Sequence, residues 1–341
     1  GITIFAKQAV MNINDTEITL LDTPGHVDFS AETERTLSVL DYAILVISGT
    51  DGVQNHTETL WKLIQRYNIP AFIFINKTDI MGTSHEQIME QIQSRLGHEC
   101  IDFSGGIDSL NESLALCSEE LMQKFLENET ISNEDIISAI YEKTAVPCFF
   151  GSALKLSGID VFLQGLEKYT FTPFYSEQFG AKVFKISEDE SGIRLTHLKI
   201  TGGTLKVKEM LGNEKVNQIR IYSGNKYKTV SEAEAGTVCT VTGLNKSMPG
   251  DVYGAEITQE TPILEPYLDY RVILPDGEDV HKAFSCFKKL CEEDPQLHAQ
   301  WNEQLKEIHI RLMGEVQTEI LKNIINSRYG INADFEMGGI V

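Results

Sequence analysis

The sequence predicts an α/β domain on a parallel sheet, then a small β-barrel, then an α+β unit. Three changes of texture carry this reading. The first part alternates compact apolar blocks with longer amphipathic stretches. The middle turns to short β-rich runs punctuated by glycine, and the last part reads strand, helix, strand, helix, strand.

In the first part, Ile18–Leu21, Ala43–Ile47, Ala71–Ile75 and Val146–Phe150 are apolar blocks ended by polar residues or glycine, the pattern of buried strands. Ser30–Leu40, His56–Tyr67, Ser84–Leu96, Ser109–Asn128 and Asp160–Lys168 have helical spacing. Such alternation implies a parallel sheet covered on both faces, with ligands at the carboxyl ends of its strands. Pro173 and Phe174 mark a boundary. Beyond it, Lys182–Ile186, Arg194–Ile200, Val216–Tyr222 and Thr237–Val241 read as strands of a closed barrel that runs to about Thr261. After Pro262 and Pro266 come strand Tyr270–Leu274, helix Val280–Cys291, strand Glu307–Leu312, helix Glu315–Arg328 and strand Ile331–Glu336, a split βαβ order. The expected domains are therefore 1–174, 175–262 and 263–341.

Composition narrows the function classes. Lysine plus arginine number 29 against 50 acidic residues, a net charge of −21 that repels bare nucleic acid at long range. Any RNA partner is met through local patches or through protein. No stretch approaches the roughly 18 apolar residues of a membrane helix, and the opening residues do not read as a signal peptide. The six cysteines form no Cys-x-x-Cys pair and read as reduced core thiols of a cytosolic protein.

Chemistry concentrates at three strand ends. Asp22-Thr23-Pro24-Gly25-His26 follows the first apolar block. A carboxylate there can hold Mg²⁺ through water, and Gly25 lets a backbone N–H approach a terminal phosphate. His26 then lies where it could orient an attacking water; the plain alternative is a Pro-Gly turn. Asn76-Lys77-Thr78-Asp79 closes the third block. Its terminal carboxylate can accept two N–H hydrogen bonds from guanine, an edge adenine lacks. Asn76 can bridge loops, and the Lys77 stem can cover one face of the base. A helix N-cap is the alternative. Gly151-Ser152-Ala153 ends the fourth block and offers small residues, Ser152 and Ala153, whose backbone can meet the base oxygen. Together, in this order, the three form one signal.

In these motifs the chain resembles the translational GTPases, and in the order of its later domains it is similar to elongation factor G. Glu293-Asp294-Pro295 and Met313-Gly314-Glu315-Val316-Gln317 look like that group's third-domain sequences. The segment 80–150 is short for elongation factor G and similar to the tetracycline-resistance ribosomal protection proteins, the branch favoured here. The resemblance implies a P-loop-type GTPase domain that binds GTP or GDP with Mg²⁺. Thr3, in Gly1-Ile2-Thr3-Ile4, and Asp22 would serve the metal, and His26 would position the catalytic water. It also implies a cytoplasmic monomer acting on the ribosome, touching rRNA and ribosomal proteins, either to move tRNA or to evict tetracycline. No Gly-x-x-x-x-Gly-Lys-Ser/Thr loop occurs in the sequence. The sheet is therefore expected to be incomplete, with the first strand and helix upstream of Gly1. This piece alone is expected to be catalytically inactive. The alternative is a ribosome-binding module without catalysis.

Lesser candidates read as structure. His56, Trp61 and Tyr67 lie on one helix as packing and surface residues. Cys286, Cys291 and His298 match no zinc spacing, Met89 breaks the His85-Glu86 metal pattern, and Asp276, Glu278 and Asp279 lack the later ligand of a calcium loop. Lys206, Lys208, Lys215 and Arg220 make the barrel locally basic, which fits an RNA contact and a solvated surface equally.

Overall fold

The structure is a computed structural model that describes residues 3–80, 82, 84–257 and 262–340. Gly1 and Ile2, part of the opening tetrapeptide, and Thr261, at the end of the expected barrel, lie outside the described residues. The chain folds as two compact units. One comprises Asn12–Ile18 and Leu40–Pro173; the other comprises Gly1–Met11, Thr19–Val39 and Phe174–Val341.

Strands β1 (Lys7–Ile13) and β2 (Thr16–Asp22) form a two-stranded ribbon that turns at Asn14, whose φ is 48°. The sequence places the block Ile18–Leu21 in the parallel sheet. Instead, β2 pairs with β1 alone among the described residues, and its side chains are only partly buried or exposed. A ribbon strand of this kind has no covered faces to demand a continuous apolar run. Helix α1 (Ser30–Leu37) follows, shorter than expected, with all eight residues buried although six are polar or charged.

The unit of Leu40–Pro173 carries the parallel sheet. It contains β3 (Ala43–Ser48), α2 (Asn55–Arg66), β4 (Ala71–Asn76), α3 (His85–Arg95), β5 (Cys100–Asp102), α4 (Ile107–Ala115), α5 (Glu119–Asn128), α6 (Asn133–Tyr141), β6 (Val146–Phe150) and α7 (Ile159–Tyr169). The strand order is β3-β4-β6-β5, all parallel. Phe72, Phe74, Phe103, Phe149 and Phe162 form an aromatic core, with Phe72 and Phe149 stacked at 6.5 Å. Trp61 of α2 is buried and donates its Nε1–H to the Leu96 carbonyl at 2.8 Å. β3 is an edge strand on which Val46 is 59% exposed.

Two details depart from the sequence reading. The stretch expected as one helix, Ser109–Asn128, is two. The break comes before Ser118, whose hydroxyl accepts the Leu121 N–H and caps the second helix. The short β5 and helix α6 escaped notice, although Ser132 caps α6 by accepting from Asp135.

The β-rich segment holds β7 (Gly180–Glu188), β8 (Arg194–Gly202), β9 (Thr204–Lys206), β10 (Met210–Leu211), β11 (Glu214–Lys215), β12 (Gln218–Ser223), β13 (Lys226–Val230), β14 (Glu232–Glu234), β15 (Val238–Thr242) and β16 (Val252–Gly254). Six of these form an antiparallel sheet in the order β13-β12-β15-β8-β7-β16, and β9/β14 and β10/β11 make ribbons. Val183, Leu198, Ile200, Ile219 and Val241 lie at the centre of the apolar interior.

The last segment runs β17 (Leu268–Ile273), α8 (Val280–Glu293), β18 (Gln300–Asn302), β19 (Glu307–Leu312), α9 (Val316–Tyr329) and β20 (Asp334–Ile340). β18, not anticipated, completes a βαββαβ unit whose sheet order is β18-β19-β17-β20, antiparallel throughout. Phe287, Ile310 and Ile325 are fully buried between its layers.

Candidate functional site

The parallel sheet brings two of the three motifs together. Asn76 ends β4 and Gly151 follows β6, and these strands are neighbours in register, Ile75 opposite Phe150. Asn76 Oδ1 accepts the Lys77 N–H at 2.8 Å and the Ala153 N–H at 2.9 Å, tying the two loops. The Thr78 N–H reaches the Gly151 carbonyl at 3.2 Å, and the Gly151 N–H reaches the Ile75 carbonyl at 2.9 Å. Lys77 sits in the left-handed region, φ 65°, which swings its side chain out of the strand direction. Its ammonium lies 3.9 Å from Asp51, whose carboxyl is held below its usual value chiefly by a Ser48 hydrogen bond, with Lys77 assisting. Asp79 is exposed. At Gly151 a Cβ would collide with the Ser157 carbonyl and the Phe74 ring, so close packing requires glycine there.

Asn76 bridges the loops as its place at the strand end suggests, accepting the Ala153 N–H, and the Ser152 N–H bonds the Ser157 carbonyl at 2.9 Å. Ser152 is buried, and its hydroxyl accepts from Lys155 at 3.2 Å.

Thr3, Asp22, Gly25 and His26 belong to the other unit. Asp22 is exposed at the end of β2, and Thr3 is half-buried. A Cβ on Gly25 would meet nothing within 4 Å. Packing therefore does not demand glycine here, which fits a position kept open for a ligand's approach. His26 caps the turn Val27–Phe29: its Nδ1 accepts the Asp28 N–H at 3.2 Å and lies 3.3 Å from Asp28 Oδ1. Thr33 donates its hydroxyl to the Pro24 carbonyl at 2.9 Å, holding the loop against α1.

Helix α1 is fixed by charge. Glu32 meets Lys185 at 3.0 Å and Arg35 at 3.1 Å, and it accepts the Ala6 N–H at 3.1 Å. Burial opposes its ionisation, yet Lys185 and Arg35 hold the carboxyl at about 2. Arg35 also reaches Asp294 at 3.0 Å, and Glu34 accepts the N–H groups of Ile263 and Leu264 at 2.8 and 3.0 Å. Close by, the His197 ring lies between the hydroxyls of Ser187 and Thr240, and burial together with Lys185 pushes it down to about 3. These charged groups line part of a cavity of about 690 Å³ that Phe5, Phe184 and Leu290 share.

The basic patch is smaller than the sequence suggested. Arg220 is buried, pairs with Asp189 at 3.0 Å and stacks 4.5 Å from the Tyr227 ring centre, leaving Lys206, Lys208 and Lys215 on the surface. The cysteines are all free thiols. Among the described residues no helix is long and apolar enough to cross a membrane. No group of three or more His, Cys, Asp or Glu side chains there forms a metal site. A threonine hydroxyl and one carboxylate, hard oxygen donors, fit Mg²⁺, which keeps its waters and leans on phosphate for the remaining ligands.

Strand-end loops on a parallel sheet, with an Asn-Lys-Thr-Asp turn laced to Gly-Ser-Ala, define a GTP-binding domain of the translation-factor class. Residues 1–172 match the elongation factor Tu GTP binding domain, and residues 263–337 match elongation factor G, domain III; the chain belongs to this family of translational GTPases. It is 30% identical to the tetracycline resistance protein TetP of Clostridium perfringens, over 98% of this chain and 56% of that protein. It is 28% identical to elongation factor G 2 of Syntrophus aciditrophicus (strain SB), over 99% of this chain and 61% of that one. A crystal structure of a Thermus thermophilus protein shares the fold, with a TM-score of 0.85 at 21% identity over 98% of this chain and 59% of the other. The chain thus spans less than two thirds of the length of these relatives.

Proposed function

We propose that the complete protein carrying this chain binds GTP and hydrolyses it on the ribosome, as a cytoplasmic, monomeric factor of the elongation factor G or ribosomal protection type. The observation that carries the reading is the Asn76 carboxamide bridging Lys77 and Ala153, which sets the two guanine-side loops in one frame. In it Asp79 accepts the guanine N–H groups, the Lys77 stem covers one face of the base, and Ser152 and Ala153 shape the opposite wall. Thr3 and Asp22 hold the metal's oxygen shell, the Gly25 N–H faces the terminal phosphate, and His26 orients the water. Bound Mg²⁺ supplies positive charge to the β- and γ-oxygens. Domains 1–174, 175–262 and 263–341 divide these tasks, the latter two meeting rRNA and ribosomal proteins.

Fluorescent GTP and GDP binding, on this chain and on a version extended upstream through a phosphate loop, tests the reading. Binding that the extension strengthens supports it, and no binding by either defeats it. In the extended protein Asp79→Asn should weaken GTP and favour xanthosine nucleotide; unchanged preference would remove Asp79 from the guanine pocket.

Identities of 30% to TetP and 28% to an elongation factor G leave the work on the ribosome to experiment. The 80–150 segment favours ribosomal protection. Expression of the complete gene should then raise tetracycline tolerance in a sensitive host, and unaltered tolerance would point to translocation. A second reading, a ribosome-binding module without catalysis, draws on the absence of a Gly-x-x-x-x-Gly-Lys-Ser/Thr motif in these residues. Ribosome pelleting that ignores nucleotide would favour it.

A further inference from the structure

We propose that Asp28 is a positioning residue for His26, and that it ties the imidazole to the first turn of α9 in the α+β segment. The inference rests on the reading of His26 as the residue that orients water. The Asp28 side chain is buried, and its two oxygens face different partners. Oδ1 lies 3.3 Å from His26 Nδ1, while Oδ2 accepts the Val316 N–H at 2.8 Å.

Helix α9 has no side-chain cap of its own, since Glu315 at its N-cap makes none. Asp28 supplies that cap from 288 residues away in sequence. A carboxylate at a helix start is stabilised by the exposed amides and the helix dipole. The seat is shaped for it. A Cβ on Gly314 would overlap the Asp28 carboxylate, and Gly314 has no positive φ to call for glycine otherwise. Gln317 closes the same turn by accepting the Met313 N–H at 2.6 Å and the Gly314 N–H at 3.3 Å.

The consequence falls on the ring. With Nδ1 accepting the Asp28 amide, which the side chain's anchorage on Val316 keeps in place, Nε2 is the nitrogen left for outward chemistry. A neutral ring that accepts at Nδ1 carries its proton on Nε2. Phe29, its ring centre 6.2 Å away, limits rotation from the other side. Losing the carboxylate's bond to Val316 frees the turn that carries this amide, the imidazole moves with it, and misplacement of about an ångström costs roughly 10²-fold in rate.

Two experiments test this. In the complete protein on ribosomes, Asp28→Ala should lower kcat for GTP hydrolysis about 10²-fold while KM for GTP holds. Gly314→Ala, remote in sequence, should act in the same direction. The double variant His26→Ala with Asp28→Ala should be no slower than His26→Ala alone, because both act through one ring. A wild-type kcat in Asp28→Ala, or losses that simply multiply, would overturn the proposal. Full activity in His26→Ala would instead defeat the reading of His26. Ring ¹⁵N shifts of His26 in this 341-residue chain then decide the role of Asp28 by themselves. One tautomer in the wild type and a mixture in both Asp28→Ala and Gly314→Ala support it; identical spectra with α9 signals intact overturn it.

Discussion

The loops of Asn76 and Gly151 and the loop of His26 are held in place by opposite means. The first pair stands on an apolar core of packed phenylalanines and is laced by backbone N–H groups. The second is anchored through α1, a short polar helix buried by ion pairs among Glu32, Arg35, Lys185 and Asp294. An apolar core fixes position through shape and is indifferent to proton and salt concentration. Buried ion pairs cost desolvation, respond to pH, and lose heavily when one partner goes. The Asn76 and Gly151 loops therefore have a seat set by apolar packing, whereas the His26 segment has one that charge can move.

The two tryptophans allow each region to be followed separately, because Trp61 lies in one unit and Trp301 in the other. The largest effect expected is from Glu32→Ala. It leaves Lys185 and Arg35 buried without their shared carboxylate, at a cost of about 3–5 kcal/mol. Denaturant unfolding read by Trp301 should shift while the Trp61 transition stays; a shift of both would break the contrast. Phe149→Ala should cost a similar ~3–5 kcal/mol, now read by Trp61 and insensitive to added salt.

Acid should act on the charged region first. The folded His197 ring is pushed to about 3 from an ordinary 6.5, so the unfolded chain takes up the proton earlier. Stability present above pH 6.5 is lost as pH falls towards 3. Glu32, at about 2 against an ordinary 4.5, adds a loss as pH falls from 4.5 towards 2. The joint loss is on the order of a few kcal/mol. His197→Gln should remove the upper part of that window, and an unchanged acid profile would show that His197 does not set it. The smallest effect is from Asn76→Ala, which unties Lys77 from Ala153. It should weaken guanine nucleotide by about 1–3 kcal/mol with little change in global unfolding.

Much of this was legible in the residues. Apolar blocks ending in Asn76 and Gly151 gave β4 and β6 because buried parallel strands need continuous apolar runs. The break at Ser118 and the cap at Ser132 were also written locally, as Ser-x-x-Leu and Ser-x-x-Asp, and could have been read. Helix α1 could not. Ser30-Ala31-Glu32-Thr33-Glu34-Arg35 has the look of a solvated helix, and its burial depends on Lys185 and Asp294, far along the chain. The same holds for Asp28 and Arg220, whose partners Val316 and Asp189 no local pattern announces. The bridge from Asn76 to the Ala153 N–H was legible in kind, since a carboxamide at a strand end can tie neighbouring loops, while the amide it takes depends on the register of β4 and β6.

Strand β3 has a further meaning at the bench. Among the described residues it has a neighbour on one side only, and Val46 lies open on it. Its outer row of amides and carbonyls is a template that any extended segment can extend, another molecule of the same chain included. Concentrated solutions of this 341-residue chain by itself should grow sheet-rich aggregates from this margin; a Val46→Lys change, which places a like charge on every copy, or an upstream extension whose strand pairs with β3 should keep them clear.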